Sequence, residues 1–281
     1  MVNPEVMVVF WGLASAVTWG AGDFSGGVAT KRTAVTGVVV VSQIVGGIFL
    51  VLLALLFREA LPTPASLLMG MLAGMAGVVG LLALYSGLAN GRMGVVAPLA
   101  AVISAAIPVL VSLFIEGLPQ ITQLMGFGLA LLAVWLLSGM GWRTAVPRQE
   151  LGYALVAGTG FALFFIFIDR VEPGSLFWPL ATARTVSVTL LSLWVLSRGE
   201  WVRPLPHQLP LIALAGVLDA LGNAFFALAA RLGRLDIAAV LASLYPGSTV
   251  LLARVILQER LTRLQWLGVL LALAALVLIT L

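Results

Sequence analysis

Apolar residues run along this chain in blocks of about 20, each ended by a short polar or Gly/Pro cluster. That is the length an α-helix needs to cross the roughly 30 Å hydrocarbon layer of a bilayer. The pattern predicts ten spans, at 7–27, 35–57, 67–89, 94–115, 121–140, 151–169, 176–196, 209–230, 236–257 and 262–281. Pro62-Thr63-Pro64, Glu116-Gly117-Leu118-Pro119 and Glu172-Pro173-Gly174 stop helices by backbone chemistry. Lys31-Arg32-Thr33, Arg58-Glu59 and Asn90-Gly91-Arg92 place charge at an interface. No loop has room for a separate soluble domain. The expected fold class is all-α integral membrane, with ten transmembrane helices.

The pattern also repeats. Gly12, Ala14, Gly20 and Phe24 recur as Gly152, Ala154, Gly160 and Phe164, and Gly91-Arg92 recurs as Gly233-Arg234. Gln123 and Gly126 recur as Gln265 and Gly268, and Glu116 answers Glu259 after a slip of one residue. The expected division is therefore a five-helix unit at 1–140, a linker at 141–150 and a second five-helix unit at 151–281. An odd number of spans starts the second copy on the opposite face. The two repeats are then inverted about a pseudo-two-fold axis in the membrane plane, and such a pair can enclose a cavity near the midplane. The plainer alternative is an old duplication kept for stability. Gly70, Gly74, Gly77 and Gly80 form a small-residue stripe for close helix approach.

Composition agrees with the lipid assignment. Of 281 residues, 62% are hydrophobic and 9% charged, against about 25% charged in soluble domains. Mean hydropathy is +1.15. The net charge of +4 comes from loop residues with no interleaved basic and aromatic stretch, which argues against nucleic acid. Cysteine is absent, and the single histidine, His207, sits in a Pro-rich loop where an interfacial role suffices. The N-terminus has no basic n-region or cleavage site, so the first span is expected to be retained. No Gly-x-x-x-x-Gly-Lys-Ser/Thr loop is present, and no clustered catalytic or metal-ligand set is evident. No cofactor is expected. The loops on the side away from the termini carry nine basic residues against four, which by charge places both termini outside.

Ionisable groups inside spans cost roughly 2.5–3.5 kcal/mol each and are functional suspects. Four qualify: Asp23, Arg184, Asp219 and Arg254. Asp219 shares a helix face with Gly216, Asn223 and Phe226, and reads as a substrate or proton site, or as half of a buried pair that fixes register. Arg184 needs Asp219 or Asp23 as partner, or an anionic substrate group. Arg254 lies within a turn of its span's end and can snorkel. Asp23 follows Gly12, Ser15 and Trp19 on one face near the end of the first span, and reads as an interfacial carboxylate or a cavity-mouth gate. Asp23 and Arg254 are thus gating or ion-pair candidates.

Trp11, Trp142, Trp201 and Trp266 read as interfacial anchors, whereas Trp19, Tyr85, Trp178 and Tyr245 fall inside spans. Tyr245-Pro246-Gly247 is expected to break the ninth helix near its middle, and Pro98 and Pro108 to act similarly in the fourth.

Three motifs then carry a resemblance. Thr18-Trp19-Gly20-Ala21-Gly22-Asp23-Phe24-Ser25-Gly26-Gly27 resembles the first-helix signature of EamA-type members of the drug/metabolite transporter superfamily. Gly91-Arg92-Met93-Gly94-Val95-Val96-Ala97-Pro98 is similar to their third-to-fourth junction. Ser243-Leu244-Tyr245-Pro246-Gly247, Gln258-Glu259-Arg260-Leu261-Thr262 and Gln265-Trp266-Leu267-Gly268 resemble the domain's closing motif, with Gln258 in place of the usual glycine. The resemblance spans the chain as two tandem units. It implies ten helices in inverted repeats, a central cavity, alternating access, a bacterial inner membrane and cytoplasmic termini, against the charge count. Relatives move amino acids, metabolites, nucleotide sugars or toxic cations. The leading expectation is an exporter of small metabolites or amino acids, working as a monomer or homodimer with proton coupling open. A drug or organic-cation exporter and an intramembrane enzyme are the alternatives.

Overall fold

The computed structural model describes residues 4–30, 33–90, 93–137, 147–199, 204–256 and 262–280. These are helical nearly throughout: α1 (Pro4–Thr30), α2 (Val35–Leu56), α3 (Pro64–Asn90), α4 (Met93–Ile115), α5 (Ile121–Leu137), α6 (Arg148–Asp169), α7 (Phe177–Arg198), α8 (Leu209–Leu232), α9 (Leu235–Ala242), α10 (Tyr245–Ile256) and α11 (Arg263–Thr280). Among the described residues, eight stretches are long and apolar enough to cross a bilayer, α9 and α10 counting as one, and α5 and α11 are shorter apolar helices. The stops at Pro62-Thr63-Pro64, Glu116-Gly117-Leu118-Pro119 and Glu172-Pro173-Gly174 lie where the sequence placed them, while Lys31, Arg32, Gly91, Arg92, Trp142, Trp201 and Gln258-Glu259-Arg260 lie outside the described residues. Gly117 and Gly174 turn the chain at φ 84 and 104, a region open to glycine and costly to side chains.

The ninth span breaks as expected, at Ser243-Leu244 between α9 and α10. Pro246 has no N–H to offer the Ala242 carbonyl, and Gly247 N–H instead bonds the Leu244 carbonyl at 2.9 Å. The expectation for the fourth span is corrected: α4 runs unbroken with both Pro98 and Pro108 inside it. Pro98 falls in the opening turns, where only the Gly94 carbonyl loses its helical donor. Buried membrane helices tolerate such isolated losses.

The packing repeats the sequence symmetry. α1 packs on α8 and α6 on α3; α2 packs on α7 and α5 on α11; α3 packs on α7 and α8 on α2. Exchanging α1 with α6, α2 with α7, α3 with α8, and α5 with α11 turns this set of pairs into itself. Each half therefore folds largely by burying its helices against the other half. Backbones approach closely at glycines: Gly74 faces the Ala183 carbonyl, Gly216 the Ser42 carbonyl, and Gly160 the backbone of Gly80. The bundle's outer face carries large apolar side chains such as Ile48, Leu52, Phe114, Val255 and Leu270, which suits lipid.

Polar contacts tie the halves together at the end where α2, α4, α6 and α8 finish. The Glu59 carboxylate accepts the N–H groups of Leu176 and Phe177 at the start of α7. Burial raises its pKa above the ordinary value, outweighing the hydrogen bonds that lower it. Thr63 donates to Glu172 at 2.6 Å across the halves, and within the second half Arg231 donates to the Ser175 carbonyl. Arg234 pairs with Asp236 at 2.8 Å and Glu116 at 3.6 Å, and donates to the Gly117 carbonyl at 2.9 Å.

Candidate functional site

A cavity lies between the repeats, midway along the helices, with an empty volume of about 750 Å³ including its opening. Trp19 and Asp23 of α1, Gln43 of α2, Ser104 of α4, and Arg184 and Ser187 of α7 supply polar groups to it. Asp219 and Asn223 of α8 add a carboxylate and an amide one turn apart, and Tyr245 enters at the α9–α10 break. Phe161, Phe164 and Phe165 of α6 and the Gly74–Leu81 stretch of α3 complete an apolar wall.

Its polar centre is a triangle of three side chains from three helices. Arg184 Nη2 lies 2.7 Å from Asp219 Oδ2. Arg184 Nη1 donates to Gln43 Oε1 at 2.6 Å, and Gln43 Nε2 donates to Asp219 Oδ2 at 3.3 Å. Glycines admit this cluster: Gly47 meets the Arg184 side chain, and Gly46 lies against the Gly216 carbonyl. The guanidinium is buried, while the Asp219 carboxylate is one-third exposed toward the cavity. Of the two acids open to Arg184 by sequence, Asp219 takes it.

Asp23 occupies the opposite kind of environment. It is half-buried in the cavity wall, and no described residue gives it a hydrogen bond or ion pair. The interfacial reading of Asp23 is thereby corrected, because α1 continues to Thr30 and leaves the carboxylate about two turns short of the helix end, in the cavity wall. Arg254 is exposed on α10 and is not among the residues that line the cavity.

The aromatic candidates divide. Trp19 lines the cavity and stacks on Phe165 at 5.5 Å. Phe226 stands behind the wall, fully buried, and stacks on Phe165 at 4.4 Å. Tyr85 is buried with its hydroxyl against Gly26. Trp178 sits at the start of α7, where its indole N–H donates to the Glu59 carbonyl at 3.3 Å. Neither Tyr85, Trp178 nor Phe226 lines the cavity. Sequence reasoning missed Gln43, Ser104, Ser187 and the α6 phenylalanines. Gln43 could have been found, since an amide inside Val38–Val51 is a polar intruder in an apolar run. A serine or phenylalanine in a span carries no such mark.

The comparisons with known proteins meet this geometry. The model of the EamA-like transporter family matches residues 6–139 and again 149–281. The chain belongs to the EamA-like transporter family. It is thus a multi-pass membrane transporter of the drug/metabolite transporter superfamily, built from two EamA domains. A crystal structure of a protein 17% identical to it matches with a TM-score of 0.79, over 96% of this chain and 95% of that chain. At that identity the likeness shows the shared fold. No curated protein matches the chain.

Proposed function

We propose that the chain is a secondary carrier that moves small amphipathic metabolites through the inter-repeat cavity by alternating access, with export as the net direction. The cavity carries this reading: both repeats wall it, polar groups stand midway along apolar helices, and packing follows a two-fold exchange of halves. Glycine contacts across α2–α8, α3–α7 and α3–α6 leave those helices smooth enough to tilt against one another. We place the protein in a bacterial inner membrane with both termini cytoplasmic, as the family implies.

An intramembrane enzyme would hold an acid, base or nucleophile in mutual hydrogen-bond reach. In this cavity the Asp219 carboxylate is engaged by Arg184 and Gln43, and Ser104 and Ser187 donate to backbone carbonyls. That arrangement favours binding over chemistry. Flux assays with purified protein in proteoliposomes test the carrier reading, using a metabolite panel first ranked by thermal stabilisation. Saturable flux of the stabilising compounds is expected. Stabilisation accompanied by chemical conversion, without flux, would overturn the reading in favour of an enzyme.

A further inference from the structure

Among the described residues, three acidic or basic side chains line the cavity: Asp23, Arg184 and Asp219. Resting on the carrier reading of that cavity, we infer that it selects organic monocations, an ammonium group on an apolar or aromatic body, with Asp23 as the counter-ion.

Two of these three charges already hold each other. Arg184 is held by Asp219 at 2.7 Å and by Gln43 at 2.6 Å. A ligand carboxylate therefore meets a guanidinium that is already neutralised, and would have to displace Asp219 to bind it. Asp23 has no such partner among the described residues. With it ionised, two carboxylates and one guanidinium leave the site one negative charge in excess. An unpaired carboxylate in an apolar enclosure costs free energy that a ligand cation recovers. The excess charge and the missing partner coincide at one residue.

The surroundings of Asp23 set the rest of the ligand. Trp19 precedes it by one turn on the same face of α1 and is braced by Phe165. Phe161, Phe164 and Tyr245 line the same cavity, so an alkyl or aryl body is covered while its ammonium has ring faces nearby. A zwitterion brings the right ammonium but also a carboxylate for which the site holds no uncommitted cation. An anion brings only the second group.

Three probes on one phenyl body separate these cases: phenethylamine (cation), phenylalanine (zwitterion) and hydrocinnamate (anion). Binding to the purified full chain is measured by calorimetry at mildly alkaline pH. Phenethylamine is expected to bind at least about tenfold more tightly than phenylalanine, the scale of one ion or cation–π contact, with hydrocinnamate weakest. Asp23→Asn is expected to abolish the ranking, and Asp23→Glu to keep it. Phenylalanine or hydrocinnamate binding as tightly as the amine overturns the inference, as does an unchanged ranking in Asp23→Asn. Should that variant not fold, the wild-type ranking and Asp23→Glu decide. Flux in proteoliposomes separates the two claims. Transport without regard to ligand charge removes the monocation rule and leaves the carrier, whereas amine-selective binding without flux of any probe does the reverse.

Discussion

Gln43 and Arg184 occupy the same position of the two repeats, 141 residues apart, and are hydrogen-bonded to each other at 2.6 Å. A residue meets its own counterpart only where the pseudo-two-fold axis passes, so this contact marks the axis on the α2–α7 interface. Evolution of the two copies has placed an amide on one side and a guanidinium on the other. Asp219 then breaks the symmetry, because its counterpart in the first repeat lies at Gly77 or Val78. The polar centre of the cavity is thus the place where the repeats meet and also where they differ.

Breaking this triangle should destabilise the protein more than removing it. Arg184→Gln leaves the Asp219 carboxylate without its cation, at an expected cost of about 1–3 kcal/mol, discounted from a fully buried pair because Asp219 faces the cavity. Asp219→Asn should cost a similar amount by leaving a buried guanidinium. The double variant should recover part of the loss, read as a positive coupling in a thermal-unfolding double-mutant cycle. Strict additivity would show that the pair contributes nothing to the folded state.

Two glycines of α6 should respond oppositely to alanine. At Gly160 a Cβ would lie 2.7 Å from the Ala76 carbonyl and from Gly80, and backbone cannot yield cheaply. Gly160→Ala is expected to cost about 1–3 kcal/mol. At Gly152 nothing lies within 4 Å, so Gly152→Ala should be neutral or stabilising by up to about 1 kcal/mol through helix propensity. Thermal unfolding of the two variants in the same detergent checks this, and equal effects would place the α3–α6 contact wrongly.

Glu59 predicts a pH dependence with a definite sign. Burial raises its pKa above the ordinary 4.5, so the folded chain holds this proton more tightly than the unfolded chain does. Its contribution is present in full below the unfolded value and is lost as pH rises through the folded one. Relative to Glu59→Gln, which keeps an acceptor for the α7 N–H groups, the wild type should lose stability as pH climbs upward through the ordinary 4.5 and beyond it. A relative gain over that window would mean the α7 contacts outweigh burial.

Most of the fold was legible because a bilayer imposes one rule on every span. Backbone groups must be satisfied within the helix, so long apolar runs punctuated by Gly and Pro map directly onto α1 to α11. Pro98 and Pro108 misled for the same reason, since a proline's local effect depends on what the surrounding bundle already holds in place. Within the site, charge was the readable signal. It pointed to Arg184, Asp219 and Asp23, yet spacing along the chain could not say which acid Arg184 would take. That choice depends on α2, α7 and α8 meeting at Gly46, Gly47 and Gly216. Tyr85 and Trp178 were drawn in as aromatics inside spans and Phe226 by the face it shares with Asp219, and packing sends them to a buried contact, a helix start and a second layer behind the wall.

The chain contains no cysteine, so a single introduced thiol reports on one position without background. Leu81→Cys and Ser104→Cys each place a thiol in the cavity wall, and Leu52→Cys on the lipid-facing surface serves as control. Labelling with a membrane-impermeant thiol reagent is followed from each face of sealed vesicles. Alternating access requires both cavity thiols to react from either face, with the control silent. Reaction from one face only, under every ligand condition, would mean a static pocket and no carrier cycle.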